Sequence, residues 1–121
     1  LRIDCYRPAR EVMRRFSAIR IIFDGEEPLT LEVTGCAGPE PAARLRRSGE
    51  PPRPLAQART ACDLIFELAV PFSDLGLEPD RVVEFIVEFE EHRGLLTRYP
   101  RESAITFRVP TADFEARMWT V

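Results

Sequence analysis

The sequence predicts an all-β domain, an antiparallel β-sandwich of about seven or eight short strands, immunoglobulin-like or jelly-roll-like in outline, with at most one short helix. Three observations point there. Apolar and polar residues alternate with period two in run after run, the mark of a strand with one face on a core. Gly and Pro clusters punctuate those runs. Helical periodicity is nearly absent from 121 residues that are 45% hydrophobic and 31% charged, a size and composition that fit one globular domain spanning 1–121.

Taken in order, Leu1, Ile3 and Cys5 alternate with Arg2, Asp4 and Tyr6 and open the first strand. Residues 9–16 make the one predicted helix, a short stripe of Val12, Met13 and Phe16 beside Arg10, Arg14 and Arg15. Ile19, Ile21 and Phe23 then run into Asp24-Gly25-Glu26-Glu27-Pro28 and on to Leu29, Leu31 and Val33. Asp-Gly between two such runs predicts a hairpin, since both residues tolerate positive φ. Residues 38–59 break the pattern with Gly38, Pro39, Pro41, Gly49, Pro51, Pro52 and Pro54 among Arg44, Arg46 and Arg47, and are expected to form a long loop with one helical turn at most around 42–47. The strand signal returns at Leu64, Phe66, Leu68 and Val70, and Pro71 ends it by removing a ladder donor. Phe72 to Leu77 reads as a tight or single helical turn capped by Gly76. Val83, Phe85, Val87 and Phe89 form the next inward stripe opposite Glu84, Glu88 and Glu90, and His92-Arg93-Gly94 connects it to a returning strand at 95–99. Ile105, Phe107 and Val109 make another strand, and 114–121 a last one carrying the single tryptophan. Ile3, Ile21, Leu31, Phe66, Val87 and Phe107 should therefore share one dry layer between two sheets.

The same composition excludes several functions. No apolar run reaches the roughly 18 to 20 residues of a membrane-spanning helix, so no membrane partner is expected. A net charge of -3 lacks the broad positive field of nonspecific nucleic-acid binding, although all 17 basic residues are arginine. No secretory leader follows Leu1, and three cysteines, Cys5, Cys36 and Cys62, form neither a zinc nor a redox motif. An odd thiol count suits a reducing, cytoplasmic compartment with the thiols packed as small hydrophobes; a single disulfide is the alternative.

Catalytic groups are sparse. His92 falls in a hairpin turn, and none of the serines or cysteines sits in a nucleophile motif. Glu84, Glu88, Glu90 and Glu91 could serve as a cation site or a carboxylate pair, but alternate glutamates about 6.6 Å apart are also what any solvated strand face produces. Neither GxGxxG nor GxxxxGK occurs, so no cofactor is expected, and no metal site or catalytic residue is assigned. Tyr99 and Trp119 remain as aromatic platforms for a sugar ring, with Arg98 beside them as a hydrogen-bond donor; a terminal tryptophan equally well anchors a last strand or docks on a neighbouring domain.

The run Phe66-Glu67-Leu68-Ala69-Val70-Pro71-Phe72-Ser73-Asp74-Leu75-Gly76-Leu77-Glu78-Pro79, with Val83 to Glu88, Thr97-Arg98-Tyr99-Pro100-Arg101 and Ile105 to Pro110 after it, resembles a known sandwich. It is similar to the C-terminal β-sandwich that follows the catalytic region in many bacterial glycoside hydrolase family 57 proteins, which act on α-glucans, and more broadly to sandwiches of the DOMON and carbohydrate-binding module family 9 type. The resemblance covers 62–110, and segment 38–59 has no counterpart in it. It implies a non-catalytic accessory domain at the C-terminal end of a larger enzyme, its partners being the catalytic domain of the same polypeptide and an α-glucan. The alternative is a structural or interdomain β-sandwich that touches no sugar.

Overall fold

The computed structural model describes residues 1–113, which form ten strands and two short helices. In chain order these are β1 (Arg2–Ile3), α1 (Ala9–Met13), β2 (Phe16–Phe23), β3 (Leu29–Thr34), β4 (Ala42–Arg47), β5 (Arg53–Pro54), β6 (Arg59–Cys62), β7 (Phe66–Ala69), α2 (Phe72–Leu75), β8 (Val82–Glu91), β9 (Leu96–Tyr99) and β10 (Ile105–Arg108). All pairings are antiparallel and fall into two sheets. One is small, in the order β1-β7-β6; the other has seven strands, in the order β10-β8-β2-β3-β4-β5, with β9 also paired to β8.

The large sheet is a meander from β2 to β5 joined by a strand that returns late in the chain. β8 lies beside β2, with Ile21 opposite Val87 and Phe23 opposite Phe85. At ten residues β8 is long enough to carry two partners end to end on its other edge: β10 pairs with Val82 to Phe85 and β9 with Val87 to Glu90. The Asp24-Gly25 loop joins β2 to β3, and Gly94, at φ 89°, turns β8 into β9.

Alternation places one apolar set inward. Ile19, Ile21, Leu31, Val33, Leu45 and Val87 of the large sheet and Phe66 and Leu68 of the small one join a single buried cluster, with Ala9 and Met13 of α1 inside it. Ile3 and Phe107 pack against that cluster, half-buried. The shared dry layer expected from the sequence is present, and among the described residues no buried side-chain nitrogen or oxygen lacks a partner.

Several elements differ from expectation. Segment 38–59 is not a loop, since β4 pairs with β3 along its whole length and β5 adds to β4. The Ala-Ala-Arg-Leu-Arg-Arg run hides its period because Leu45 is its only large apolar residue; Ala43 and Leu45 nevertheless face inward while Ala42, Arg44 and Arg46 face water. The expected helix ends at Met13, and Phe16 starts β2 instead. The helical turn expected at Phe72 to Leu77 is present as α2 and stops at Gly76 in the left-handed conformation at φ 67°, so the chain has a second short helix where at most one was expected. Leu64 lies exposed in the β6–β7 turn rather than in a strand. The expected last strand at 114–121, with Trp119, lies outside the described residues.

Candidate functional site

The outer face of the large sheet is polar and its charges are ordered by register. Arg98, Glu88, Arg20, Glu32 and Arg44 stand side by side across β9, β8, β2, β3 and β4, so opposite charges alternate over five strands. At its centre the Arg20 guanidinium donates to Glu32 at 2.9 Å, to Glu88 at 3.1 Å and to Glu90. Partial desolvation acts to lower the Arg20 pKa, but hydrogen bonds to three carboxylates outweigh it and raise the value above the ordinary arginine range. Of the glutamates singled out as a cation site or carboxylate pair, Glu88 and Glu90 are thus bound up with Arg20, while Glu84 stands exposed near the other end of β8. Among the described residues no group of three or more His, Cys, Asp or Glu side chains could hold a metal ion.

His92 is exposed, and its Nε2 lies 3.1 Å from the Arg14 carbonyl, to which an Nε2–H would donate. Beside it Glu91 accepts from Arg93 at 2.6 Å and from Arg15 at 3.0 Å, and the hydrogen bond from Arg93 is the main reason its carboxyl titrates below the usual range. This cluster ties the β8–β9 hairpin to the start of β2, and among the described residues no nucleophile hydrogen-bonds to it.

The two described residues proposed for sugar contact are not brought together. Adjacent positions on a strand face opposite ways. Tyr99 therefore stands on the inner side, its ring edge-on to Phe89 at 5.8 Å and half exposed, while Arg98 stands on the outer side. The Arg98 guanidinium donates to the carbonyls of Pro100 at 3.1 Å and Ser103 at 2.9 Å, fixing the loop between β9 and β10. Period two alone carried this separation and could have been used to find it.

All three thiols are free and gather around the core: Cys36 is buried in it, and Cys5 and Cys62 pack against it. Burial pushes the Cys36 thiol up to about 11, with nearby Cys62 adding to the shift, and burial likewise raises Cys5 and Cys62. A thiol-reactive probe at pH 8 should accordingly leave Cys36 unmodified in the folded chain and modify Cys5 and Cys62 slowly, whereas denaturant releases all three. Peptide mapping that finds Cys36 labelled in the folded chain at the rate of a free thiol contradicts this placement.

Of the clefts that remain among the described residues, one of about 400 Å³ lies beside β4 and β5, between Arg44 and Pro54, and one of about 580 Å³, with the more apolar lining, lies at the end of the small sheet, between it and the inner face of the large one. Its deep wall is made by Ile21, Phe23 and Leu31 of the large sheet, Leu68 of β7 and Leu75 of α2, all nearly inaccessible to water. Phe72, Phe85 and Phe107 line it nearer the opening. With Phe23 they make a chain of rings at centroid distances of 5.9 Å, 5.8 Å and 5.8 Å, from Phe72 through Phe107 and Phe85 to Phe23. Among the described lining residues only Gln57 and Arg59 have polar side chains, and the Leu1 ammonium at the cleft's border donates to the Leu68 carbonyl at 2.7 Å.

The arginine-rich strands hold α2 against this cleft. Arg47 donates to the Leu75 carbonyl at 3.2 Å and Arg53 to the Asp74 carbonyl at 3.0 Å, satisfying carbonyls that a helix end leaves open. A Cβ at Gly76 would run into the Arg47 guanidinium, so glycine serves here both for its positive φ and for that close approach. Sequence reasoning missed the cleft because it arises from the unequal width of the two sheets, which periodicity does not encode.

Fold and cleft define a two-layer antiparallel β module with an apolar cleft between its sheets. Comparison with known proteins adds no relative: no family model, no curated protein and no solved structure matches the chain. Among the described residues no helix is long and apolar enough to cross a membrane.

Proposed function

We propose that this chain is a non-catalytic binding module that takes an apolar group into the cleft between its sheets. The observation that supports it is the lining itself. A space of about 580 Å³ falls in the range of small-ligand sites, its wall is preformed by packed core residues, and among the described residues its apolar lining is interrupted by the side chains of Gln57 and Arg59 only. Catalysis needs converging titratable groups, and His92 and the paired glutamates lie elsewhere. The motif resemblance suggests a setting, an accessory domain beside the catalytic domain of an α-glucan-acting enzyme. Docking on that domain, rather than sugar contact, agrees better with a surface so poor in hydrogen-bonding groups.

A neutral solvatochromic dye such as Nile red should bind the folded chain at one site, with a blue-shifted emission that is lost when Val70→Trp fills the cleft. Absence of binding to the folded chain would contradict the proposal. α-Glucan binding is the second reading, favoured by the half-exposed ring of Tyr99. It predicts retardation of the chain in a glycogen gel that Tyr99→Ala abolishes; the apolar reading predicts unchanged mobility.

A further inference from the structure

We infer that the chain's own residues 114–121, which lie outside the described residues, cover the inner side of β9 and β10, with Met118 and Trp119 level with Tyr99. Neither Tyr99 nor Ile105 lines the cleft, so the inference goes beyond the reading of the cleft and does not depend on it.

The face comes first. Ile105 stands opposite Phe85 and Tyr99 opposite Val87, so both turn inward. Val83, Val87 and Phe89, on the same side of the neighbouring strand β8, are each 6% exposed or less, yet Ile105 is 41% and Tyr99 49% exposed. Inward apolar residues of an antiparallel sheet are ordinarily covered. Among the described residues the second layer runs out before it reaches these two, because the small sheet has three strands against seven and ends at β1.

The occupant follows from what comes next in the chain. After β10 the Val109 N–H donates to the Arg81 carbonyl at 2.8 Å, Pro110 ends the ladder, and the chain turns at Ala112 and Asp113, where the Thr111 hydroxyl donates to the Asp113 carboxylate. The chain therefore leaves the sheet at the Val82 end of β8. From there to the level of Tyr99, Val82 to Val87 along β8, is about 17 Å, and the six residues from Asp113 to Trp119 span about 20 Å when extended. In the segment Phe114, Ala116 and Met118 alternate with Glu115 and Arg117, and it holds no glycine or proline. One apolar side and one charged side suit a face that is dry beneath and wet above. Tethered by so short a connection, the segment has an effective concentration on the order of millimolar at this face, which a free partner of similar apolar area does not match. A Tyr99 ring covered in this way no longer offers a platform to a sugar.

NMR of the isotope-labelled full chain tests this. Nuclear Overhauser contacts should join the Trp119 indole or the Met118 methyl group to the Ile105 methyl groups and the Tyr99 ring. They should be absent from a half-filtered experiment on mixed labelled and unlabelled chain, which sees contacts between copies only. Trp119 is the single tryptophan, so its emission gives a second readout. Ile105→Glu should shift that emission to the red and increase its quenching by acrylamide with a native thermal transition retained, whereas Leu96→Glu, at a position 59% exposed on the outer face of β9, should leave both unchanged. Should Ile105→Glu not fold, Tyr99→Ser, at the more exposed of the two positions, carries the same prediction. Contacts seen only between copies make a second chain the occupant and overturn the inference. So does an absence of contacts in the full chain, an emission that the folded inner-face variant leaves unmoved, or an equal shift in Leu96→Glu.

Discussion

Phe66→Ala should lower stability by about 3–5 kcal/mol. Among the described residues Phe66 is the largest fully buried side chain, 0% exposed, and sits at the middle of the small sheet with Ile3 opposite it on one side and Cys62 on the other. A sheet of three short strands keeps its position only through what it buries against the larger one, and this ring is the main part of it. The variant loses the transfer free energy of the ring and keeps a cavity that two-residue β1 and four-residue β6 are too short to close. Against a total of about 5–15 kcal/mol for a domain of this kind, that is a third or more of the stability. Urea denaturation gives the number directly, as a lower midpoint at unchanged slope. Phe66→Leu, which refills most of the space, should lose about 1 kcal/mol. A loss below about 1 kcal/mol for the alanine variant would mean that the two sheets do not share the core described above.

Arg20→Met is the second large effect, and it acts on the opposite face. Methionine keeps the apolar stem but leaves Glu32, Glu88 and Glu90, which all converge on the Arg20 head, facing one another without a cation. Charge-assisted hydrogen bonds of this kind contribute about 1.5–3 kcal/mol when partly shielded, and since all four side chains retain some exposure a loss of about 2 kcal/mol is expected at low salt. Because what remains is repulsion between carboxylates near the surface, the deficit should shrink as sodium chloride is added. Glu32→Gln, which leaves two carboxylates on the arginine, should lose no more than about 1 kcal/mol. Equal stability of Arg20→Met and the parent at low salt would show that the alternating row across β9, β8, β2, β3 and β4 contributes nothing.

These two residues also mark the limit of what could be read in the sequence. Inward and outward faces are legible wherever large apolar residues alternate, so the pattern alone turns Ile21, Leu31, Phe66, Val87 and Phe107 toward the core, and the Asp24-Gly25 and Arg93-Gly94 turns mark two hairpins. Period two says which way a side chain points but not which strand lies beside it. Hence Glu84, Glu88, Glu90 and Glu91 read as a solvated face or a cation site, because only cross-strand register shows Arg20 among Glu32, Glu88 and Glu90. The Arg- and Pro-rich stretch read as a loop because prolines and small residues mask the alternation of β4, and its arginines acquire a purpose only when Arg47 and Arg53 meet the end of α2. The cleft depends on a three-stranded layer facing a seven-stranded one, a relation between distant segments that no local pattern records.

The central claim is that the working surface is the apolar space between the sheets. Methyl NMR of the full chain during a titration with 1-decanol tests it most directly: saturable shifts are expected at Ile21, Leu31, Leu68, Val70 and Leu75, which line the cleft, with Ile22 and Ile86, paired on the outer face, unmoved. No shift at the lining residues, or shifts confined to Ile22, Ile86 and their neighbours, would contradict it.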